Sequence, residues 1–288
     1  MVLWERYLAM QTTPRNWLLS GLIVAIVALA GCTQQQEQAA PPTGSPLPSP
    51  PSPLPSPPAS PQASALPRLE GKATVVMTVK GSPITIEIDG TDAPITAGNF
   101  VDLVNRKVYD GLVFHRVIRD PEPFVVQGGD PQGKNPNIPL DRLGTGGFID
   151  PATSLPREIP LEIKPQNADQ PVYGRTLQEA GVTVPPKLRH TRGAIAMARS
   201  EAPDSASSQF YFALSDLAAL DGNYAVFGYV RQGMDIVDKI QAGDRIESAR
   251  VTQGIENLKT GATATTSPSP TGSPSPTASP SPSPTTTP

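Results

Sequence analysis

Phe114-His115-Arg116-Val117-Ile118-Arg119-Asp120-Pro121-Glu122-Pro123-Phe124-Val125-Val126-Gln127-Gly128-Gly129-Asp130 is the segment around which the rest of the chain is organised. Two runs rich in β-branched and aromatic residues, 112–118 and 124–127, are joined by a turn broken by Pro121 and Pro123. Gly128-Gly129-Asp130 closes the second run, so the stretch predicts a pair of strands. Side chains alternate across a strand, which places Phe114, Arg116 and Ile118 on one face of the first and Val125 and Gln127 on one face of the second. An arginine among apolar residues, with a glutamine on the neighbouring strand, makes an apolar surface carrying a few fixed hydrogen-bond donors. Such a surface suits an extended peptide.

Outward from this pair, residues 69–259 have the length of one domain able to bury a substantial core. The segment opens with a hairpin, 73–79 and 84–88, around Lys80-Gly81-Ser82, with Ile84, Ile86 and Ile88 alternating against Thr85 and Glu87. Pro94 starts a helix with Ala97, Phe100, Val101 and Val104 at three- and four-residue spacing, a core element rather than a site. Between Pro131 and His190 the pattern turns irregular, and an insertion of that length is either functional rim or decoration. Strands return at 193–198, 209–214, 224–230 and 246–251, with a second short helix over 233–240. About eight strands and two helices, with little strand-helix-strand alternation, argue for a mainly β fold built as a closed eight-stranded antiparallel barrel.

The two ends have no core-forming pattern. In residues 1–31, Arg6 and Arg15 precede an apolar run over 17–30, the arrangement of a secretory signal, with an uncleaved anchor helix as the alternative. Leu29-Ala30-Gly31-Cys32 resembles the lipobox of bacterial lipoproteins, which implies lipidation at Cys32, the only cysteine of the chain. We therefore expect an extracytoplasmic protein held at a bacterial membrane by its lipid. Residues 32–68 are Pro/Ser-rich and read as a spacer, since proline supplies no ladder hydrogen bond and large apolar residues are nearly missing. At about 3.1 Å per residue, some 30 residues of polyproline II would span roughly 90 Å. Residues 260–288 form a second Ser/Pro/Thr tract, read as a disordered tail.

Of the 288 residues, with net charge −3, only His115 and His190 are histidines. A metal cluster or a Cys/His pair is therefore excluded on counting, and no cofactor is called for. A Ser-His-Asp triad survives counting, yet nothing frames a serine as a nucleophile elbow. The acidic balance, without a basic stripe, argues against nucleic acid.

The run Phe-His-Arg-Val-Ile followed by Phe-x-x-Gln-Gly-Gly-Asp, together with Ser208-Gln209-Phe210-Tyr211-Phe212, resembles the cyclophilin family of peptidyl-prolyl cis-trans isomerases. The resemblance implies an eight-stranded barrel with a helix capping each end, monomeric, acting on proline-containing polypeptides. By the same resemblance Arg116 is the catalytic arginine and Gln127 the glutamine that helps to hold the peptide backbone. Phe124, Val125, Tyr211 and Leu220 map onto the proline pocket, Ala198 and Arg199 onto the strand along which the peptide lies, and Gln209 and Tyr224 onto its surroundings. His115 is expected to be a structural, hydrogen-bonded histidine, because rotation about a peptide bond moves no proton. Several positions depart from the family pattern: Val125 replaces a methionine, Tyr211 a phenylalanine, Ala219 a tryptophan and Tyr224 a histidine. The turn between Arg116 and Phe124 is about three residues wider than usual, which would displace Phe124 from the pocket wall.

Overall fold

The computed structural model describes residues 66–260. The expected signal, Cys32, most of the Pro/Ser spacer and the Ser/Pro/Thr tail lie outside the described residues. In chain order the strands are β1 (Arg68–Leu69), β2 (Lys72–Val79), β3 (Ser82–Asp89), β4 (Phe114–Ile118), β5 (Val125–Gly128), β6 (Ile149–Asp150) and β7 (Leu155–Pro156). They continue as β8 (Glu162–Ile163), β9 (Val172–Tyr173), β10 (Ala194–Met197), β11 (Phe210–Ala213), β12 (Val226–Gln232), β13 (Ile246–Gln253) and β14 (Leu258–Lys259). The helices are a long one, Pro94–Asn105, and a short one, Met234–Val237.

β2 and β3 form the expected hairpin, with Val79 opposite Ser82. Its two-residue turn places Lys80 at φ 51° and Gly81 at φ 70°. Positive φ at both central residues is the geometry whose twist matches that of the flanking strands. On the inward face Val75, Met77, Ile84, Ile86 and Ile88 have no exposed surface. They meet the long helix, whose Phe100 packs at 5.0 Å from both Tyr109 and Phe227 and edge-on to Phe210 at 5.5 Å.

Eight strands make one sheet in the order β13-β2-β3-β12-β10-β11-β5-β4. The expected barrel is not closed. It is an open half-barrel, because the edge strands β4 and β13 share no ladder and the segments leading into them are joined through an isolated bridge, Val113 to Arg245. Backbone hydrogen bonds at that corner run from Phe114 to Asp244 and from Ile246 to Leu112. The register of β4 against β5 then slips between Phe114 and Arg116. A bulge bends its strand and disrupts the ladder locally, so it works against further pairing along β4.

The bulge also corrects the expected facing of β4. Phe114 belongs to the main core, whereas Ile118 packs on the opposite face of the sheet with Val125. The extra residue at His115 resets the alternation, and Arg116 lies opposite Gln127. His115 itself is not the hydrogen-bonded histidine expected: neither ring nitrogen has a partner. It lies beside Gly144, where a Cβ would come within 3.3 Å of Nε2. Burial, with a smaller contribution from Arg116, pulls its pKa below the ordinary value against the opposing charge of Asp130.

The insertion between Pro131 and His190 folds into two small hairpins, β6–β7 and β8–β9, and is tied to the rest by carboxylates. Ala93 precedes the long helix and offers no side-chain cap. Glu162 does that work from β8, accepting from the backbone N–H of Ile95 at 3.1 Å and of Thr96 at 2.7 Å. Asp130 accepts from Gly144 at 2.6 Å and from Gly146 at 3.0 Å, which pins the glycine-rich segment against the end of β5.

Candidate active site

The register across four strands assembles the site. Ala196 lies opposite Tyr211, Tyr211 opposite Gln127, and Gln127 opposite Arg116. One row of side chains thus crosses β10, β11, β5 and β4 on the face away from the main core. In the adjoining row Ala213 lies opposite Val125 and Val125 opposite Ile118. The intervening residues Phe210 and Phe212 point into the core and are fully buried, as alternation requires.

On this outer face an apolar cluster includes Val125, Tyr211 and Leu220, with Phe124, Ala198 and Tyr224 packed against it. Every apolar residue assigned to the proline pocket from sequence lies in or on that cluster. The wide turn does not displace Phe124: its N–H donates to the Ile118 carbonyl at 3.0 Å and its carbonyl accepts from Leu214 at 2.8 Å. Residues 119–123 are looped out between these fixed ends. Ala219 is exposed beside Leu220 and adds no wall.

A polar chain runs along the edge of the cluster. Arg116 Nη1 donates to Gln127 Oε1 at 3.3 Å, Gln127 Nε2 to Gln209 Oε1 at 3.1 Å, and Gln209 Nε2 to the Gly146 carbonyl at 2.8 Å. Burial pulls the Arg116 guanidinium below its ordinary value, while Tyr224 acts in the opposite direction. An arginine stays charged under such a shift and retains several donors in a planar fork. Arg199 is at another margin, its guanidinium 4.8 Å from the centre of the Tyr224 ring and bonded to the carbonyls of Asn223, Ser200 and Glu201. The glycine at 129 is needed here: at φ 92° a Cβ would run into the Ser208 carbonyl, which leads into Gln209.

The sequence model of the cyclophilin type peptidyl-prolyl cis-trans isomerase/CLD family matches residues 74–261. The chain belongs to this family. It is 46% identical over 206 residues to a putative thylakoid lumen peptidyl-prolyl cis-trans isomerase of Synechocystis sp., a match covering 68% of this chain and 51% of that protein. A chloroplastic peptidyl-prolyl cis-trans isomerase of Arabidopsis thaliana is 42% identical over 214 residues, covering 67% and 45%. The chain thus spans about half the length of these curated relatives. Among solved structures, a cyclophilin type isomerase of Cryptosporidium parvum is similar at 21% identity with a TM-score of 0.47, covering 63% of this chain and 98% of that one.

Two residues behind the apolar cluster were not singled out from sequence. His190 and Asp221 lie behind Tyr211, the imidazole bridging the Asp221 carboxylate and the Tyr211 hydroxyl at 2.9 Å each. The signal was the tyrosine itself, since a buried phenol calls for a hydrogen-bond partner. Gly146 is the third addition, because it brings the insertion to the rim through its carbonyl.

Proposed function

We propose that this cyclophilin accelerates cis-trans rotation about X-Pro bonds of polypeptides outside the cytoplasm, as a monomer anchored to a bacterial membrane through lipid on Cys32. The single observation that carries the catalytic reading is Arg116 held by Gln127 at the edge of an apolar cluster built from Phe124, Val125, Tyr211 and Leu220. Rotation faces a barrier of about 18–20 kcal/mol because the amide has partial double-bond character. In the twisted state the prolyl nitrogen regains a lone pair able to accept a hydrogen bond, which the planar amide lacks. A guanidinium donor aimed at that nitrogen stabilises the twisted state selectively, and selectivity is what lowers a barrier. Bringing a step of tens to hundreds of seconds to about 10³ per second asks for roughly 7 kcal/mol, within reach of electrostatic stabilisation in a partly buried site.

In this reading the apolar cluster receives the proline ring, and Gln127 and Gln209 hold the peptide backbone. Ala198, Arg199 and Tyr224 border the bound chain. The extracytoplasmic setting is supported by the lipobox-like sequence at 29–32 and by relatives whose names place them in the thylakoid lumen and the chloroplast. A second reading, a peptide-binding module with little catalysis, is favoured by one observation: Ala219 leaves the wall beside Leu220 open. Exchange spectroscopy of an Ala-Pro peptide with the full chain decides between them. Exchange accelerated well above the uncatalysed rate is expected, and peptide binding without acceleration would give the second reading.

A further inference from the structure

The network behind Tyr211 runs through His190 to Asp221. The His190 side chain is 1% exposed, and its ring lies nearly parallel to that of Tyr211, 6.1 Å away at 15°. Asp221 Oδ1 faces both the His190 backbone N–H at 2.8 Å and Nδ1 at 2.9 Å. An ionised carboxylate only accepts, so Nδ1 carries the proton and Nε2 is left as an acceptor for the Tyr211 hydroxyl. The phenol hydrogen is therefore directed into the protein, away from the outer face. Tyr211 then presents an aromatic ring, as phenylalanine would, on a fixed tether. The same carboxylate follows the turn Ala218–Leu220, so the network joins the strand bearing Tyr211 to the turn bearing Leu220.

We propose that His190 is a positioning residue which, held by Asp221, locks the Tyr211 ring against Leu220 and thereby sets the affinity of the site for the proline ring. The proposal rests on the isomerase reading for its substrate and on the hydrogen-bond geometry for its mechanism. A ring that only receives proline contributes equally to the planar and twisted states, so loosening it weakens binding and leaves turnover nearly unchanged. That pattern is the reverse of the one expected for Arg116.

The test uses the full chain with an Ala-Pro peptide. Affinity is read by NMR titration, turnover by exchange spectroscopy at saturating peptide, and the Tyr211 hydroxyl proton by its slow exchange without peptide. His190→Ala is expected to weaken peptide binding about tenfold, the usual worth of a buried hydrogen bond to a charged network, with turnover within about threefold of wild type. Tyr211→Phe should weaken it to the same extent, and the double variant no further, because both remove one tether. His190→Gln, whose amide can donate to Asp221 and accept from Tyr211, should restore affinity to within about threefold of wild type. The proposal is overturned if the hydroxyl proton of the wild type exchanges freely, if Tyr211→Phe binds as wild type does, or if the losses add. If His190→Ala does not fold, Tyr211→Phe and His190→Gln decide by the same criteria. A wild type that binds peptide without accelerating exchange defeats the isomerase reading alone, and the affinity comparison still decides the role of His190. A wild type that binds no proline peptide defeats both.

Discussion

Arg116 is the residue on which the proposed chemistry turns, and its surroundings prescribe how its loss should read. Arg116→Ala is expected to lower kcat/KM for an Ala-Pro peptide by about 10² to 10³, or roughly 3–4 kcal/mol, with little change in peptide affinity. Arg116→Lys should recover little, since one ammonium on a flexible stem cannot both reach the prolyl nitrogen and keep the bond to Gln127. A kcat/KM within twofold of wild type in Arg116→Ala would show that the arginine is structural rather than catalytic. Asp221 makes a separate prediction in acid. Burial raises its pKa, but hydrogen bonds from the His190 side chain and backbone, with the charge of Arg189, overcome burial and leave it below the ordinary carboxylate value. A depressed folded pKa contributes stability that is present above the unfolded value of about 3.9 and disappears as pH falls through the folded one. The stability gap between wild type and Asp221→Asn should accordingly be full at about pH 6 and shrink below about pH 4, measured by urea unfolding across that range.

Among the elements, the long helix depends on a residue that is remote in sequence. Glu162 takes the two N–H groups of the first turn that Ala93 leaves unserved, and it is 1% exposed. Its removal strands two buried donors, so Glu162→Ala should cost about 2–4 kcal/mol by denaturant unfolding, at the sum of two unsatisfied groups rather than one ordinary cap. An effect under about 0.5 kcal/mol would mean that water replaces the carboxylate freely. Burial holds the Glu162 pKa above the ordinary value against the hydrogen bonds from Thr96 and Ile95. Its contribution to pH dependence thus has the opposite sign to that of Asp221: favourable below the unfolded pKa of about 4.3 and lost as pH rises through the folded value. The insertion carrying Glu162 is therefore part of the helix it caps, and through Gly146 it is also part of the rim of the site.

At the scale of the whole molecule, the core among the described residues runs from Leu69 at the start of the domain to Ala249 in β13. Truncation to residues 66–260 should leave the melting temperature within about 5 °C of the full chain and the isomerisation rate nearly unchanged, because the Pro/Ser tracts carry almost no large apolar residues and the apolar run at 17–30 reads as a targeting segment rather than as core. Differential scanning calorimetry of both forms checks this, and a larger drop would mean that the ends pack on the domain. Anchoring is tested separately. In a bacterial host, wild type is expected to incorporate labelled fatty acid and Cys32→Ala to incorporate none, while equal labelling of the two would remove the lipid from the proposal. Both expectations derive from composition and motif, and neither needs a contact within the domain.

What the sequence determined by itself was local: strand and helix positions, and the residues that alternation sends to opposite faces. Ile84, Ile86 and Ile88 had to share one face, and Gln209 and Tyr211 had to oppose Phe210 and Phe212, because side chains on a strand repeat with period two. The family-like motif likewise named Arg116, Gln127 and the apolar residues that the fold gathers into one cluster. Tertiary structure decided what depends on an extra residue or a distant partner. The bulge at His115 separates Phe114 from Arg116 and accompanies the opening of the barrel at β4, and nothing in the residue types of 114–118 marks where a ladder must slip. His115 ends without a hydrogen bond while His190 gains two through its ring, although composition treats them alike. A buried polar group takes its role from whichever partner folding brings within about 3 Å, and for His190 and Tyr211, as for Glu162 and the helix at Pro94, that partner comes from elsewhere in the chain.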